Sequence, residues 1–318
     1  MSHQIQIVYL IGAYQNPEHL GRLTKALAPS SDLTIVHVSA GVDELPFRQA
    51  CCSDTVFASS RINGQDGETS IADIALLLAK EAIAILPTAD YFIFISGACY
   101  PVRSAAGIRA FFQAGRGREF IDAVPDVYRH LRHVFRRRSV YLPTHNQHFR
   151  RWLWGMASRH LPLPVAKWFQ DGLPIPLWRK WPDGLVPHCG SSWWALSRGA
   201  LEYCFAYINS HLQFYEYFRH IYGPDEQMLQ TILANSPYAD KLAGSLTYCD
   251  WWCGGKTPGF LDMSKIPILK DCINGGVPTQ WGAPGQKCEV LFARKFGEHS
   301  QDVLDWIDNM IATPQEKS

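Results

Sequence analysis

Two hydrophobic rhythms alternate along the first third of the chain. Residues Ile5 to Ile11 form a short, β-branched run that stops at Gly12, the pattern of a buried strand. Leu20, Leu23, Ala26 and Leu27 then recur at helical spacing, with Pro17 and Glu18 as the helix start. Leu33 to Val38 repeats the strand pattern, Ile71 to Leu86 is an apolar, alanine-rich helix, and Asp90 to Ile95 is a third strand that runs directly into Ser96-Gly97. Late in the chain, Glu289 to Phe292 is strand-like. Val303, Leu304, Trp306, Ile307, Met310 and Ile311 have the spacing of a closing helix. Strands alternating with helices predict an α/β fold with a mostly parallel central sheet flanked by helices. Ligands of such sheets collect at the carboxyl ends of the strands. Gly12, Tyr14, Ser96 and Gly97 are therefore candidate pocket residues.

Chemistry enters at Tyr222-Gly223-Pro224-Asp225-Glu226, where two adjacent carboxylates follow a Gly-Pro turn and precede the apolar run Met228 to Leu233. Pro224 suits the first turn of a helix, because its missing N–H would be unpaired there anyway. Asp225 and Glu226 would then sit beside the positive end of the helix dipole. A carboxylate held at such a junction can serve as a general base; an ordinary acidic helix start looks the same. In Gly190-Ser191-Ser192-Trp193-Trp194 the small residues permit close approach of a ligand, and an indole face can stack on a sugar ring. Strand alternation places one of these indoles in the core and the other on a cleft. The same division is expected of Trp251 and Trp252, which follow Asp250.

Composition narrows the partners. A chain of 318 residues can bury a large core, and a net charge of +1 gives no global pointer to nucleic acid. The nine cysteines are scattered; Cys249 and Cys253 lack the second pair a zinc site needs, so the set reads as thiols in a reducing compartment. No run of about 18 apolar residues is present, and the expected location is cytoplasmic. The stretch Val127 to Gln170 contains no acid. It holds Arg129, Arg132, Arg136, Arg137, Arg138, Arg150, Arg151, Arg159 and Lys167, interleaved with Trp152, Trp154, Leu161 and Trp168. His130, His133, His145 and His148 share that cationic surrounding, which disfavours a metal site there. The stretch fits an anionic acceptor, or peripheral contact with an anionic membrane surface through residues 129–168. A solvated helical face is the plain alternative.

Taken in chain order, Ser96-Gly97-Ala98-Cys99-Tyr100-Pro101-Val102-Arg103-Ser104, Gly190-Ser191-Ser192-Trp193-Trp194, Pro224-Asp225-Glu226 and Leu291-Phe292-Ala293-Arg294-Lys295-Phe296 resemble one family. It is that of core-2/I-branching β-1,6-N-acetylglucosaminyltransferases and peptide O-xylosyltransferases, and the resemblance runs from Ile7 to Phe296. It implies a GT-A-like fold, with residues 1–125 as the nucleotide-sugar-binding half and 126–318 as the acceptor-binding half of one continuous catalytic domain. It also implies a UDP-sugar donor of N-acetylglucosamine or xylose and a glycan or polysaccharide acceptor; a lipid-linked acceptor is the expectation that the basic stretch adds. Transfer would be inverting and would need no metal or other cofactor. The chain contains no Asp-x-Asp, the usual metal-holding motif of sugar transferases.

By resemblance Glu226 is the base and Asp225 an orienting group. Lys295, with Arg294 beside it, serves the diphosphate; Lys295 is expected to turn inward. Tyr100, Arg103, Trp193, Trp194, Asp250, Trp251 and Trp252 fall to the acceptor side. Two positions depart from the family pattern: Cys99 stands where relatives often carry Asp, and Ser39 follows His37-Val38 where relatives often carry an acid. Two other readings stay open. One is a phosphoryl-transferring nucleotide enzyme, against which the missing Gly-x4-Gly-Lys loop counts. The other is a carbohydrate-binding protein that kept the fold and lost the chemistry.

Overall fold

The computed structural model describes residues 4–64, 70–125, 140–142, 147–162, 173–175, 181–219, 221, 223–251, 257–274, 277–278 and 287–312. Tyr222, Trp252 and much of the basic stretch lie outside the described residues.

The chain begins with β1 (Ile7–Ala13), α1 (Pro17–Leu27) and β2 (Leu33–Val38). Asn16, in the left-handed region at φ 55°, caps α1 by accepting the His19 N–H at 3.1 Å, and Pro17 occupies the first turn. After β3 (Val56–Phe57) come α2 (Ser70–Ile85), β4 (Tyr91–Ser96), β5 (Cys99–Pro101) and β6 (Glu119–Phe120). Then follow α3 (Gln147–His160), β7 (Trp194–Ser197), α4 (Arg198–Ser210) and α5 (Met228–Ala234). Strands β8 (Leu242–Ala243), β9 (Thr247–Cys249) and β10 (Phe292–Arg294) precede the closing helix α6 (Gln301–Ala312).

The central sheet has the order β8-β6-β7-β4-β1-β2-β3. Strands β4, β1, β2 and β3 pair in parallel, and β7 runs antiparallel to both of its neighbours. This is a mostly parallel sheet, and it takes strands from both sides of residue 126. Both faces are covered, which explains the unbroken apolar runs. Ile7, Tyr9 and Ile11 pack into one layer with Leu20, Leu23 and Leu27 of α1 and with Val303, Leu304 and Ile307 of α6. Val8 and Leu10 point the other way, into a layer with Leu78 and Ala82 of α2, Leu201 of α4 and Ile232 of α5. β1 extends past Gly12, where the sequence pattern ended it, because Gly12 is paired on both sides, with His37 and with Ser96.

A second, smaller sheet has the order β9-β10-β5, and its β5 follows β4 directly in the chain. β10 begins at Phe292 and carries Arg294, later than the strand-like run Glu289 to Phe292 suggested, because its partners β9 and β5 pair with residues 292–294.

Candidate active site

The carboxylate segment folds as a unit of its own. Gly223 takes φ 67°, ψ 53°, a conformation in which a side chain is strained, and so turns the chain into a 3-10 turn at Pro224–Glu226. Gln227, at φ −139°, separates that turn from α5. The two carboxylates therefore sit on a separate turn ahead of the helix, rather than in the helix's own first turn.

That turn is fastened to the Gly190-Ser191-Ser192 loop. The Gly190 N–H donates to the Glu226 carbonyl at 2.9 Å, and the Ser192 hydroxyl donates to Asp225 Oδ2 at 2.5 Å. From α5, Gln230 Nε2 donates to the Ser191 carbonyl at 2.9 Å and to the Asp225 carbonyl at 3.1 Å. Two motifs distant in sequence thus become one piece of structure. Gly190 is required for a second reason: a Cβ there would run into the Asp122 carbonyl. Asp122 is buried and accepts the Ser245 N–H at 3.0 Å; burial pushes its pKa up, opposed by the backbone N–H groups of Ser245 and Ser191. Gln230 and Asp122 were not singled out from sequence, and Gly190 was read only as a small residue that lets a ligand approach. The only sequence signal for Gln230 was a polar residue inside an apolar helical run.

Arg294 forms a second wall. Its guanidinium carbon lies 4.5 Å from the centre of the Trp193 ring, and Trp193 packs against Phe94. In the small sheet Arg294 is in register with Cys99 and with Cys249. The Cys249 thiol is pushed up to about 12, first by burial; Arg294 opposes the shift, while Cys99, Asp122 and Glu226 add to it. Lys295 Nζ lies 4.9 Å from the Phe260 ring centre, and its carbonyl accepts the Leu261 N–H at 2.8 Å. Sequence alternation turned Lys295 inward; in the structure it is Arg294 that is laid against Trp193.

At the strand ends, Gly12, His37 and Ser96 stand level. The Gly97 N–H donates to the Gly12 carbonyl at 2.7 Å, and a Cβ on Gly97 would stand 3.0 Å from the Ala13 Cβ, so glycine permits the crossing. The Ser96 hydroxyl accepts the Ala98 N–H at 2.9 Å. Tyr14 is 51 % exposed just past β1. His37 Nε2 accepts the Ile62 N–H at 2.8 Å, and the Ser39 hydroxyl accepts the Gly64 N–H at 3.1 Å. Arg61 donates to the carbonyls of Val38, Ser39 and Val42, closing the loop over the end of β2.

The structure gives several of the acceptor-side residues structural partners, and it corrects the split expected of the tryptophans. Tyr100 is buried, and its hydroxyl donates to Asp308 of α6 at 2.7 Å. Its neighbour Cys99 faces Arg294, so strand alternation turns Tyr100 the opposite way. Arg103 donates to the carbonyls of Val290 (3.3 Å) and Cys272 (3.4 Å), a brace between segments. Asp250 is buried and ion-paired with Lys265 at 2.7 Å. Trp193 and Trp194 are both buried against Phe94, so the split into one core indole and one cleft indole does not hold. Trp251 is partly buried, and Trp252 lies outside the described residues.

The fold and site define an α/β protein in which a carboxylate turn is fastened to the Gly190–Ser192 loop and a guanidinium is laid on Trp193, two residues after Ser191. The model of the Core-2/I-Branching enzyme family matches residues 7–268, and the chain belongs to that family, whose members are glycosyltransferases. The match contains Glu226 and stops short of Arg294 and Lys295. No curated protein matches the chain. Among solved structures, one titled as a crystal structure of 4-diphosphocytidyl-2C-methyl-D-erythritol synthase is 14 % identical, covering 67 % of this chain and 84 % of its own, with a TM-score of 0.31. A synthase of the same title from Anaerococcus prevotii is 11 % identical, covering 68 % and 84 %, also at 0.31. Likenesses this distant bear on neither mechanism nor substrate.

Proposed function

We propose that this glycosyltransferase moves N-acetylglucosamine or xylose from a UDP-sugar to a glycan hydroxyl, with inversion and without a metal. Residues 1–125 supply the donor side through Gly12, Tyr14, Ser96 and Gly97, and residues 126–318 supply most of the acceptor side. Glu226 removes the acceptor proton as that oxygen bonds to the sugar C1. The bond from C1 to the diphosphate breaks in the same step, and its electron pair leaves with the diphosphate, whose charge Arg294 and Lys295 stabilise.

The observation that carries this reading is the fastening of the carboxylate turn to the serine loop: Ser192 donates to Asp225, and the Gly190 N–H donates to the Glu226 carbonyl, so the turn that carries Glu226 is held in place. Metal independence is supported by the absence of Asp-x-Asp from the sequence.

The decisive variant is Glu226→Gln. A positioned general base contributes roughly 10²–10⁴-fold, so kcat should fall by about that factor while UDP binding persists. A near-normal transfer rate would remove Glu226 from the role. Thermal-shift measurements with UDP-sugars in EDTA test the metal: stabilisation that requires a divalent ion would overturn the metal-free part.

On the acceptor side, the basic stretch is proposed to dock on an anionic membrane surface, which suits a lipid-linked acceptor. Trp152 and Met156 of α3 are exposed there.

A further inference from the structure

Among the described residues, each of the other half-buried arginines has a polar partner: Arg103 donates to backbone carbonyls, and three pair with acids. Arg22 meets Asp305 and Asp308 at 2.6 Å, Arg61 meets Glu44 at 3.5 Å, and Arg109 meets Asp32 at 3.1 Å. Arg294 does not follow this pattern. Its Nε is buried without a hydrogen-bond partner, and the contact that places it is the face of Trp193. The two residues in register with it, where a carboxylate would reach it across the strands, are Cys99 on β5 and Cys249 on β9. These are thiols with no disulfide between them. Burial raises both thiols, so they stay neutral at physiological pH. Removing a guanidinium from water without a counter-charge is costly. A nearby indole face returns part of that cost and fixes the plane of the group.

We infer that Cys99 and Cys249 are positioning residues that keep Arg294 available as an anion receptor, because neutral side chains occupy the two places from which an acid would neutralise it internally. The anion is then supplied by the ligand, and its chemical class is a nucleoside diphosphate. This rests on the proposed reading of the site as one for a diphosphate sugar. It assigns the anion contact chiefly to Arg294, and it gives the departure at Cys99 a physical consequence: the thiol sets the charge of the donor site without touching the donor.

The test is calorimetric titration of UDP into the full-length protein and its variants at two salt concentrations, with melting midpoints as the check on folding. Cys99→Asp should form an internal ion pair with Arg294. It should weaken UDP binding by about tenfold or more, equivalent to roughly 1.4 kcal/mol, and flatten the salt dependence while the fold is retained. Cys99→Ala should stay within about threefold of wild type, since on this view only neutrality matters. Cys249→Asp approaches from the other strand at a less buried position and should act in the same direction; it covers the case in which an acid at Cys99 prevents folding. Unchanged UDP affinity in a folded aspartate variant, with affinity lost in Arg294→Gln, would overturn the role of the thiols and leave the diphosphate reading standing. Loss of UDP binding in folded Cys99→Ala would also overturn it, by making the thiol itself a contact. If Arg294→Gln and Lys295→Ala both bind UDP like wild type, the diphosphate reading itself fails, and this inference with it.

Discussion

His37 shows how much one side chain can disclose once its partners are known. Its Nε2 accepts the Ile62 N–H, which places the proton on Nδ1, and burial holds its pKa below the ordinary 6.5. His19 is also buried; its Nε2–H donates to the Cys99 carbonyl at 3.1 Å, and burial again lowers its pKa. In both cases the unfolded chain takes up a proton at higher pH than the folded one. The stability these rings contribute is therefore complete above pH 6.5 and is lost as pH falls through their lowered folded values. Each can add a slope of up to about 1.4 kcal/mol per pH unit within its window. The melting midpoint should hold above pH 7 and fall below 6.5. His37→Gln, which can still accept the Ile62 N–H, should make that fall shallower; an identical acid limb in the variant would show that His37 is not one of the groups responsible. Sequence had marked this corner only as a departure from the family, a serine in place of an acid. What Ser39 does there, accepting the Gly64 N–H, depends on a loop partner 25 residues away that no local pattern reveals.

At the scale of elements, the strands and helices that carry the core were legible because burial on both faces leaves its mark on composition. β1, β2, β4, α1, α2 and α6 follow from apolar runs and helical spacing, with ends displaced by a few residues. The site was legible as a set of motifs and opaque as an arrangement. Nothing in the spacing of Gly190 and Glu226 says that one donates to the other, and strand alternation was applied to Arg294 and Lys295 without knowing which face of β10 meets Trp193. Tyr100 and Cys99 illustrate a related limit: a motif groups neighbours, whereas a strand sends them to opposite faces. Gln230 is the element-scale fastener that sequence passed over, with two donations that bind the serine loop to the carboxylate turn. Gln230→Ala should cost about 1–3 kcal/mol in urea unfolding, since it leaves buried carbonyls unpaired. It should also lower kcat more than it raises the donor KM, because it loosens the turn that holds the base. A variant that loses stability yet keeps the full kcat would show that the fastening serves the fold alone.

At the scale of the whole molecule, a net charge of +1 conceals a strong asymmetry. Residues 127–170 carry nine of the 30 lysines and arginines and none of the 29 acids, so the remainder of the chain is net acidic. Charge asymmetry is legible without a fold, because it does not depend on which side a residue faces. Exposure does depend on packing. In α3, Ala157 is turned inward, while Trp152 is 58 % and Met156 43 % exposed, one helical turn apart on the same side. On the proposed reading, a basic helix that shows an indole and a thioether to solvent would rest at the boundary of headgroups and acyl chains, where each basic residue near an anionic leaflet adds about 1 kcal/mol. No described helix is long and apolar enough to cross a membrane; the contact proposed is a peripheral one. Full-length protein should co-sediment with phosphatidylglycerol-containing vesicles more than with pure phosphatidylcholine ones, and salt should release it. Trp152→Glu should weaken that binding several-fold while leaving acceptor-free hydrolysis of the UDP-sugar unchanged, since the substitution is on the exposed face of α3. Equal partition onto neutral and anionic vesicles would remove the electrostatic part of the argument. Binding to an acidic polysaccharide with none to vesicles would assign the basic stretch to the acceptor instead.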